Sequence, residues 1–189
     1  MSMLMVSLVS CSKDEDESPS APEPVITSDV NKNTVKTNDH ESSLNYFTFV
    51  KSDFGGEIVY SISAIENLPQ DPTSSDYGDA LLFYFKVIPT ASTSLSHFGN
   101  YTPLANDQFY FSSAVVNGEQ WYTPFVGDDP VGEMSVSITN GVATFTAQDI
   151  VLSDNNVNPI NATSPVSYSI SVDVAYFSQD NTGFVAVSN

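Results

Sequence analysis

The chain has 189 residues, and its 23 acidic side chains against five lysines and no arginine give a formal net charge of −18 at pH 7. Nucleic-acid binding and electrostatic adhesion to anionic membranes both need clustered basic residues, so this composition excludes them, and it disfavours phosphate chemistry. The 41% hydrophobic content is enough for one domain with its own core, while the single cysteine excludes an intrachain disulfide.

The first ten residues are uncharged and mostly apolar, and Cys11 follows them directly. A run of this length matches the hydrophobic region of a signal peptide and is too short to span a bilayer. Residues 8–11, Leu-Val-Ser-Cys, resemble the lipobox of bacterial lipoproteins, in which the cysteine is acylated. The resemblance implies a signal peptide at 1–10 and lipidation of Cys11. The alternative is a buried strand with a chance cysteine.

No lysine or arginine precedes the apolar run, which departs from the usual signal-peptide pattern. We therefore expect a signal peptide that is truncated in this sequence or has a degenerate basic region.

A short acidic run follows the cysteine. It resembles the export signal that Bacteroidota place after the lipidated cysteine of surface-exposed lipoproteins, and the alternative is a solubilising linker. Residues 18–38 contain several prolines and no hydrophobic period, which predicts a disordered, extended tether. The predicted organisation is therefore a linker at 11–40 and one domain at 41–189. The residues of the export signal are Ser12, Lys13, Asp14, Glu15, Asp16 and Glu17.

From residue 44 onward the apolar residues alternate with a period of two, which predicts strands, and no helical stripe occurs. The dipeptides Asn117-Gly118 and Asn140-Gly141 predict hairpin turns of type I′. The fold class is therefore all-β, an antiparallel β-sandwich or barrel-like fold of about eight or nine strands, with the choice left open. The run at 80–88 is nearly continuous, which predicts a central strand buried on both faces. The predicted strands are 44–50, 57–65, 80–88, 108–116, 120–125, 133–139, 142–152, 167–177 and 183–187.

The stretch from residue 99 to 141 contains a Gly-Asn-Tyr turn, a Trp-Tyr strand pair and an Ile-Thr strand. It is similar to the hairpin pattern of small, uncharacterised β-sandwich lipoproteins of Bacteroidota, of the Flavobacteriia type. The resemblance implies the class of fold and assigns no active residue.

A catalytic site is not predicted. His40 lies at the end of the linker and His97 in a Ser/Thr-rich stretch predicted as a loop, and no Gly-x-Ser-x-Gly motif occurs. Two histidines are too few for a typical zinc site, and lipidation would occupy Cys11. The alternative is a glycan hydrolase with a carboxylate pair that the sequence does not single out.

Calcium is the one cofactor that the sequence suggests. Asp154, Asn156 and Asn158 set oxygen ligands at alternate positions, as the first half of a calcium loop does. Pro159 stands where an EF-hand needs glycine, and no glutamate closes the loop. The alternative is a solvated turn, since Asp and Asn favour turns for local reasons. Two further acidic loops are candidates, with Asp71, Asp76 and Asp79 in one and Asp128 and Asp129 in the other.

Trp121 is the only tryptophan and stands beside Tyr122 just after an Asn-Gly turn, with Tyr101 expected nearby. Exposed aromatic rings stack on sugar faces, so these three residues are the candidate ligand-binding set. The favoured alternative is a core tryptophan, as is common in small domains.

The sequence thus predicts a non-enzymatic, lipid-anchored lipoprotein of the outer membrane that faces the cell exterior. Its expected role is binding or accessory: capture of glycans or nutrients, adhesion, or membership of an envelope complex. The expected partners are the membrane, through the lipid anchor, and a polysaccharide or an envelope protein; nucleic acid is not one of them.

Overall fold

A computed structural model describes residues 30–70, 76–99, 103–124, 132–154 and 162–189. These residues form twelve β-strands and one 3₁₀ helix at Val174–Ser178, and no α-helix lies among them. The all-β prediction is confirmed. The strands are β1 (Thr34–Lys36), β2 (Glu41–Ser43), β3 (Tyr46–Phe54), β4 (Glu57–Ile65), β5 (Ala80–Phe85), β6 (Thr93–His97), β7 (Gln108–Val116), β8 (Glu119–Tyr122), β9 (Glu133–Thr139), β10 (Val142–Ser153), β11 (Thr163–Asp173) and β12 (Val185–Ala186).

All strands belong to one sheet with the order β12-β3-β4-β5-β7-β6-β9-β10-β11-β1-β2, in which only the β6–β7 pair is parallel. β8 pairs with β7 and also meets β10 at Tyr122 and Ser153. Because of this second contact, β6, β7, β8, β10 and β9 close into a five-stranded barrel, and the other seven strands lie outside it. The sheet therefore has a closed middle and two open wings, one formed by β12, β3, β4 and β5 and the other by β11, β1 and β2.

The two wings face each other and share one aromatic core. Phe83 of β5 lies 5.4 Å, between ring centroids, from both Phe145 of β10 and Tyr168 of β11. Phe111 of β7 lies 4.9 Å from Tyr168, and all four rings are fully buried. Offset and tilted aromatic pairs add stabilisation to the burial of their area. The wings thus pack as a sandwich that continues the barrel.

The amino-terminal boundary of the folded body lies earlier than residue 41. β1 falls within the segment predicted as linker, yet it pairs with both β2 and β11. Val35 in the middle of β1 is completely buried and stands opposite Tyr168. A three-residue strand has too few positions to show a hydrophobic period, which is why the sequence pattern did not indicate it.

Asn33, just before β1, connects three parts of the chain. Its side-chain Oδ1 accepts the backbone N–H of Ser171 at 2.8 Å, and its Nδ2 donates to the carbonyl of Ser188 at 2.9 Å. Its own carbonyl accepts the N–H of Leu44 at 2.8 Å. Its φ of +55° lies in the left-handed region, which asparagine tolerates better than most residues. Asn33 therefore fastens β1 to β11 and to the carboxyl-terminal segment.

Several predicted elements need correction. β5 ends at Phe85, and its side chains alternate between buried and half-buried, so it is not buried equally on both faces. The strand predicted at 167–177 ends at Asp173, whose carboxylate accepts the N–H of Ala175 and caps the 3₁₀ helix. β6 occupies a stretch predicted as loop. Both hairpin predictions are supported, since Asn117 and Asn140 have φ of 55° and 52°.

Candidate functional site

Of the three aromatic residues predicted to bind a ligand, the structure describes Trp121 and Tyr122, whose side chains lie on opposite faces of β8. Trp121 is only 9% exposed and belongs to the hydrophobic core, which is the favoured alternative. Tyr122 follows it on β8 and is half-buried on the other face of the strand. Tyr101 lies outside the described residues. The indole of Trp121 therefore offers no free face for stacking on a sugar.

Most of the other predicted site residues also lie outside the described ranges. Asp154 directly follows β10, whereas Asn156 and Asn158 are not described. Within the ranges that are described, no group of three or more His, Cys, Asp or Glu side chains could hold a metal ion. Calcium binding and lipidation therefore stay predictions. The remaining residues of the lipidation, export-signal and acidic-loop predictions that lie outside the described ranges are Cys11, Ser12, Lys13, Asp14, Glu15, Asp16, Glu17, Asp71, Asp128 and Asp129.

His97 is a completely buried residue at the end of β6 and not a loop residue. Its Nε2 lies 3.2 Å from Oγ1 of Thr123, whose hydroxyl donates to the carbonyl of Phe111. The hydroxyl has only one proton, which it donates to the Phe111 carbonyl, so Nε2 must be protonated and donate to the Thr123 oxygen. Nδ1 is then unprotonated and carries a lone pair. Nδ1 is buried and has no hydrogen-bond partner. Burial lowers the pKa of His97 to about 4, so the imidazole is neutral at pH 7.

His97 lies next to the point at which β7 changes its partner strand. One edge of β7 pairs with β6 at Gln108 and Phe109 and with β8 from Ser113 onward. The Phe111 carbonyl lies between these two stretches, where the partner strand changes. Thr123 and His97 supply donors to this gap in the ladder, as a buried carbonyl requires. No carboxylate orients the imidazole through Nδ1, so this arrangement lacks the third member of a catalytic triad.

His40, Ser42 and Asp79 form a second histidine cluster. His40 Nε2 lies 2.8 Å from Ser42 Oγ and 3.4 Å from Asp79 Oδ2, and Ser42 donates to the same carboxylate at 2.5 Å. Both partners therefore meet the same imidazole nitrogen, whereas a triad needs one partner on each. The Asp79 carboxylate also accepts the N–H of Asn117 at 2.9 Å. This cluster joins β2 to the β7–β8 turn.

A candidate ligand site among the described residues is a polar cleft of about 280 Å³, which we call the Asp149 cleft. Its floor is β11, one wall is the β1–β2 turn, and the opposite wall is an irregularity in β10. None of its residues is among those predicted from the sequence to bind a ligand. The lining residues are Val30, Lys36, Thr37, Asn38, Gln148, Asp149, Pro165 and Ser167.

The irregularity in β10 is a β-bulge. The pairing of β10 with β11 shifts between Ala147 and Ile150, and Asp149 has a φ of +52°. Its N–H donates to Ser167 Oγ at 2.9 Å, and the Ser167 hydroxyl lies 3.4 Å from Asp149 Oδ1. Because of the extra residue, Gln148 and Asp149 are both exposed on the cleft side. Bulges of this kind often redirect side chains next to binding sites.

The cleft contains one lysine and one carboxylate, Lys36 and Asp149. Lys51 lies 3.0 Å from Asp180 and Lys86 lies 3.6 Å from Glu57. The side chains of Lys36 and Lys32 form neither an ion pair nor a hydrogen bond within the described chain, although the protein is strongly acidic. The cleft thus combines one free cation, one carboxylate and several neutral polar groups.

The fold and the cleft define an all-β protein with a five-stranded barrel, two packed wings and a polar cleft on one wing. Comparison with known proteins finds no matching family model, no matching curated protein and no matching solved structure. In the described ranges, no helix has the length and apolar character needed to cross a membrane.

Proposed function

We propose that this protein is a lipid-anchored lipoprotein of a bacterial outer membrane that presents a non-enzymatic binding domain at the cell exterior. The observation that carries the proposal is the only cysteine, Cys11, which follows an apolar run and precedes four consecutive carboxylates at 14–17. Lipid attachment requires a thiol after a small residue, and Ser10 provides that residue. More than one acyl chain on this cysteine would give stable membrane anchoring.

A binding role is favoured over catalysis by how the polar side chains of the described chain are used. His97 and His40 both take part in contacts that hold strands together. A glycan hydrolase needs two carboxyl groups across one cleft, whereas Asp149 is the one carboxylate lining the Asp149 cleft. The cleft residues suit hydrogen bonding to a ligand that they do not transform.

The Cys11→Ser variant tests the anchor. In a bacterium that processes lipoproteins, we expect the wild-type protein to enter the detergent phase of a Triton X-114 extract and to incorporate labelled palmitate. The variant should appear in the aqueous phase without label, because serine has no thiol for acylation. Ser7→Ala, within the apolar run, is the matched control and should behave as the wild type. Membrane association of Cys11→Ser equal to that of the wild type would contradict the proposal.

Neutralising the acidic run tests surface export separately. The fourfold variant Asp14→Asn, Glu15→Gln, Asp16→Asn and Glu17→Gln should remain in the detergent phase, because Cys11 is intact. In a Bacteroidota host we expect it to lose its accessibility to proteinase K in intact cells, while the wild type is digested. Glu23→Gln, outside the run, is the control. Digestion of the fourfold variant at the wild-type rate would show that the run is only a solubilising linker.

A further inference from the structure

We propose that the Asp149 cleft binds one sugar residue of a neutral polysaccharide. This inference rests on the proposed binding role and specifies its ligand. It places the ligand at a site different from the aromatic set that the sequence suggested.

The first argument is the row of side chains across three strands. Lys36 of β1 stands directly opposite Ser167 of β11, and Asp149 hydrogen-bonds to Ser167 from the other side. Lys36 and Asp149 are therefore two strand spacings apart, about 10 Å between backbones. They form no ion pair. A donor and an acceptor thus lie on opposite sides of Ser167, and a molecule above Ser167 can contact both.

The second argument is the chemistry of the walls. Each sugar hydroxyl donates one hydrogen bond and accepts others, so it needs both kinds of partner. The side chains of Thr37, Asn38 and Gln148 each contain a donor and an acceptor, while Lys36 only donates and Asp149 only accepts. Of the lining residues, Val30 and Pro165 are apolar and can contact the C–H groups of a sugar ring.

The third argument concerns size and charge. The volume of about 280 Å³ lies just below the range for sites of drug-sized ligands, roughly 300–1,000 Å³, which suits a single ring. With a net charge of −18 and a carboxylate in the cleft, the protein repels uronic acids and sulfated sugars, whereas a neutral sugar meets no such repulsion. A zwitterionic amino acid could pair with Lys36 and Asp149 but has fewer groups than a sugar to hydrogen-bond with the amide side chains of Asn38 and Gln148.

Saturation-transfer NMR on the 189-residue chain with the Cys11→Ser substitution, which has no acylation site, tests the proposal. The probes are the methyl glycosides of glucose, galactose, mannose and N-acetylglucosamine at millimolar concentration. We expect at least one of them to receive saturation. The double variant Asn38→Ala and Gln148→Ala should bind it at least about tenfold more weakly, since several hydrogen bonds are lost.

The matched control is Asn45→Ala, in a separate groove of about 290 Å³ near Lys32 and Asn33. It should bind the glycoside as the parent chain does, although it loses the hydrogen bond from Asn45 Nδ2 to the Glu66 carbonyl, and the double variant should keep the melting temperature of the parent. The proposal is overturned if no glycoside receives saturation, if the double variant binds unchanged, or if methyl glucuronide or L-serine binds more tightly than every neutral probe. None of these outcomes bears on lipidation, which the phase-partition experiment measures independently.

Discussion

Lowering the pH from 7 to 4 is expected to remove about 3 kcal/mol of unfolding free energy through His97 alone. In the folded protein, burial lowers the pKa of His97 to about 4, whereas the unfolded chain titrates near the ordinary value of 6.5. Between these two values the unfolded state binds more protons, so stability falls as the pH falls. Above about pH 6.5 the neutral imidazole causes no loss of unfolding free energy, and below about pH 4 the loss no longer grows.

Urea unfolding of the wild type and of His97→Gln at pH 7, 6, 5 and 4 measures this effect. Glutamine retains an N–H donor near the position of Nε2 and can still bond to Thr123, but it does not titrate. The carboxylates titrate in both proteins, so the difference between their free energies of unfolding isolates His97. That difference should shift by about 3 kcal/mol across the range, in favour of the variant at low pH.

The control for this experiment is His40→Gln, which removes the other histidine and should leave the His97 contribution in place. A wild-type protein and a His97→Gln variant with parallel pH profiles would show that the imidazole is not desolvated as the structure indicates.

The placement of His97 shows what a single sequence could and could not indicate. Leu95 and His97 are buried while Ser94 and Ser96 are exposed, so the period of two was present in β6. Its short length and its serine content nevertheless predict a loop, because both properties usually accompany turns. Its burial depends on closure of the barrel through the contact of Ser153 with Tyr122, which joins strands that are distant in the sequence. Local periodicity contains no information about such a contact.

The bulge beside the Asp149 cleft corresponds to a visible change in the hydrophobic pattern of β10. Ala143, Phe145 and Ala147 are buried at odd positions, whereas Ile150 and Leu152 are buried at even positions. A change of phase inside one apolar strand indicates a bulge, since one extra residue turns the following side chains to the other face. The prediction of a continuous strand at 142–152 was therefore right about the element and missed the residues that the bulge exposes. The opposite wall depends on β1, whose pairing the sequence could not show.

Replacing Asn33 by alanine is expected to destabilise the protein by about 3–4 kcal/mol. The buried N–H of Ser171 would lose its acceptor and the carbonyl of Ser188 its donor. A buried polar group without a partner costs about 1–3 kcal/mol. Alanine at a φ of +55° adds roughly 1 kcal/mol of backbone strain.

Urea unfolding at pH 7 can separate these causes with two further variants. Asn33→Gly should recover about 1 kcal/mol relative to alanine, because glycine accepts the left-handed conformation but provides no side chain. Asn31→Ala is the matched control: its amide binds Glu41 at 2.6 Å on the exposed surface, so its loss should cost less than about 0.5 kcal/mol. An Asn33→Ala variant within about 1 kcal/mol of the wild type would refute the role of Asn33.

The glycine variant addresses strain alone. If it were no more stable than alanine, the φ of Asn33 would contribute nothing, and the two hydrogen bonds would account for the whole effect. Because β1 also forms one wall of the Asp149 cleft, detaching it from β11 should weaken any ligand bound there.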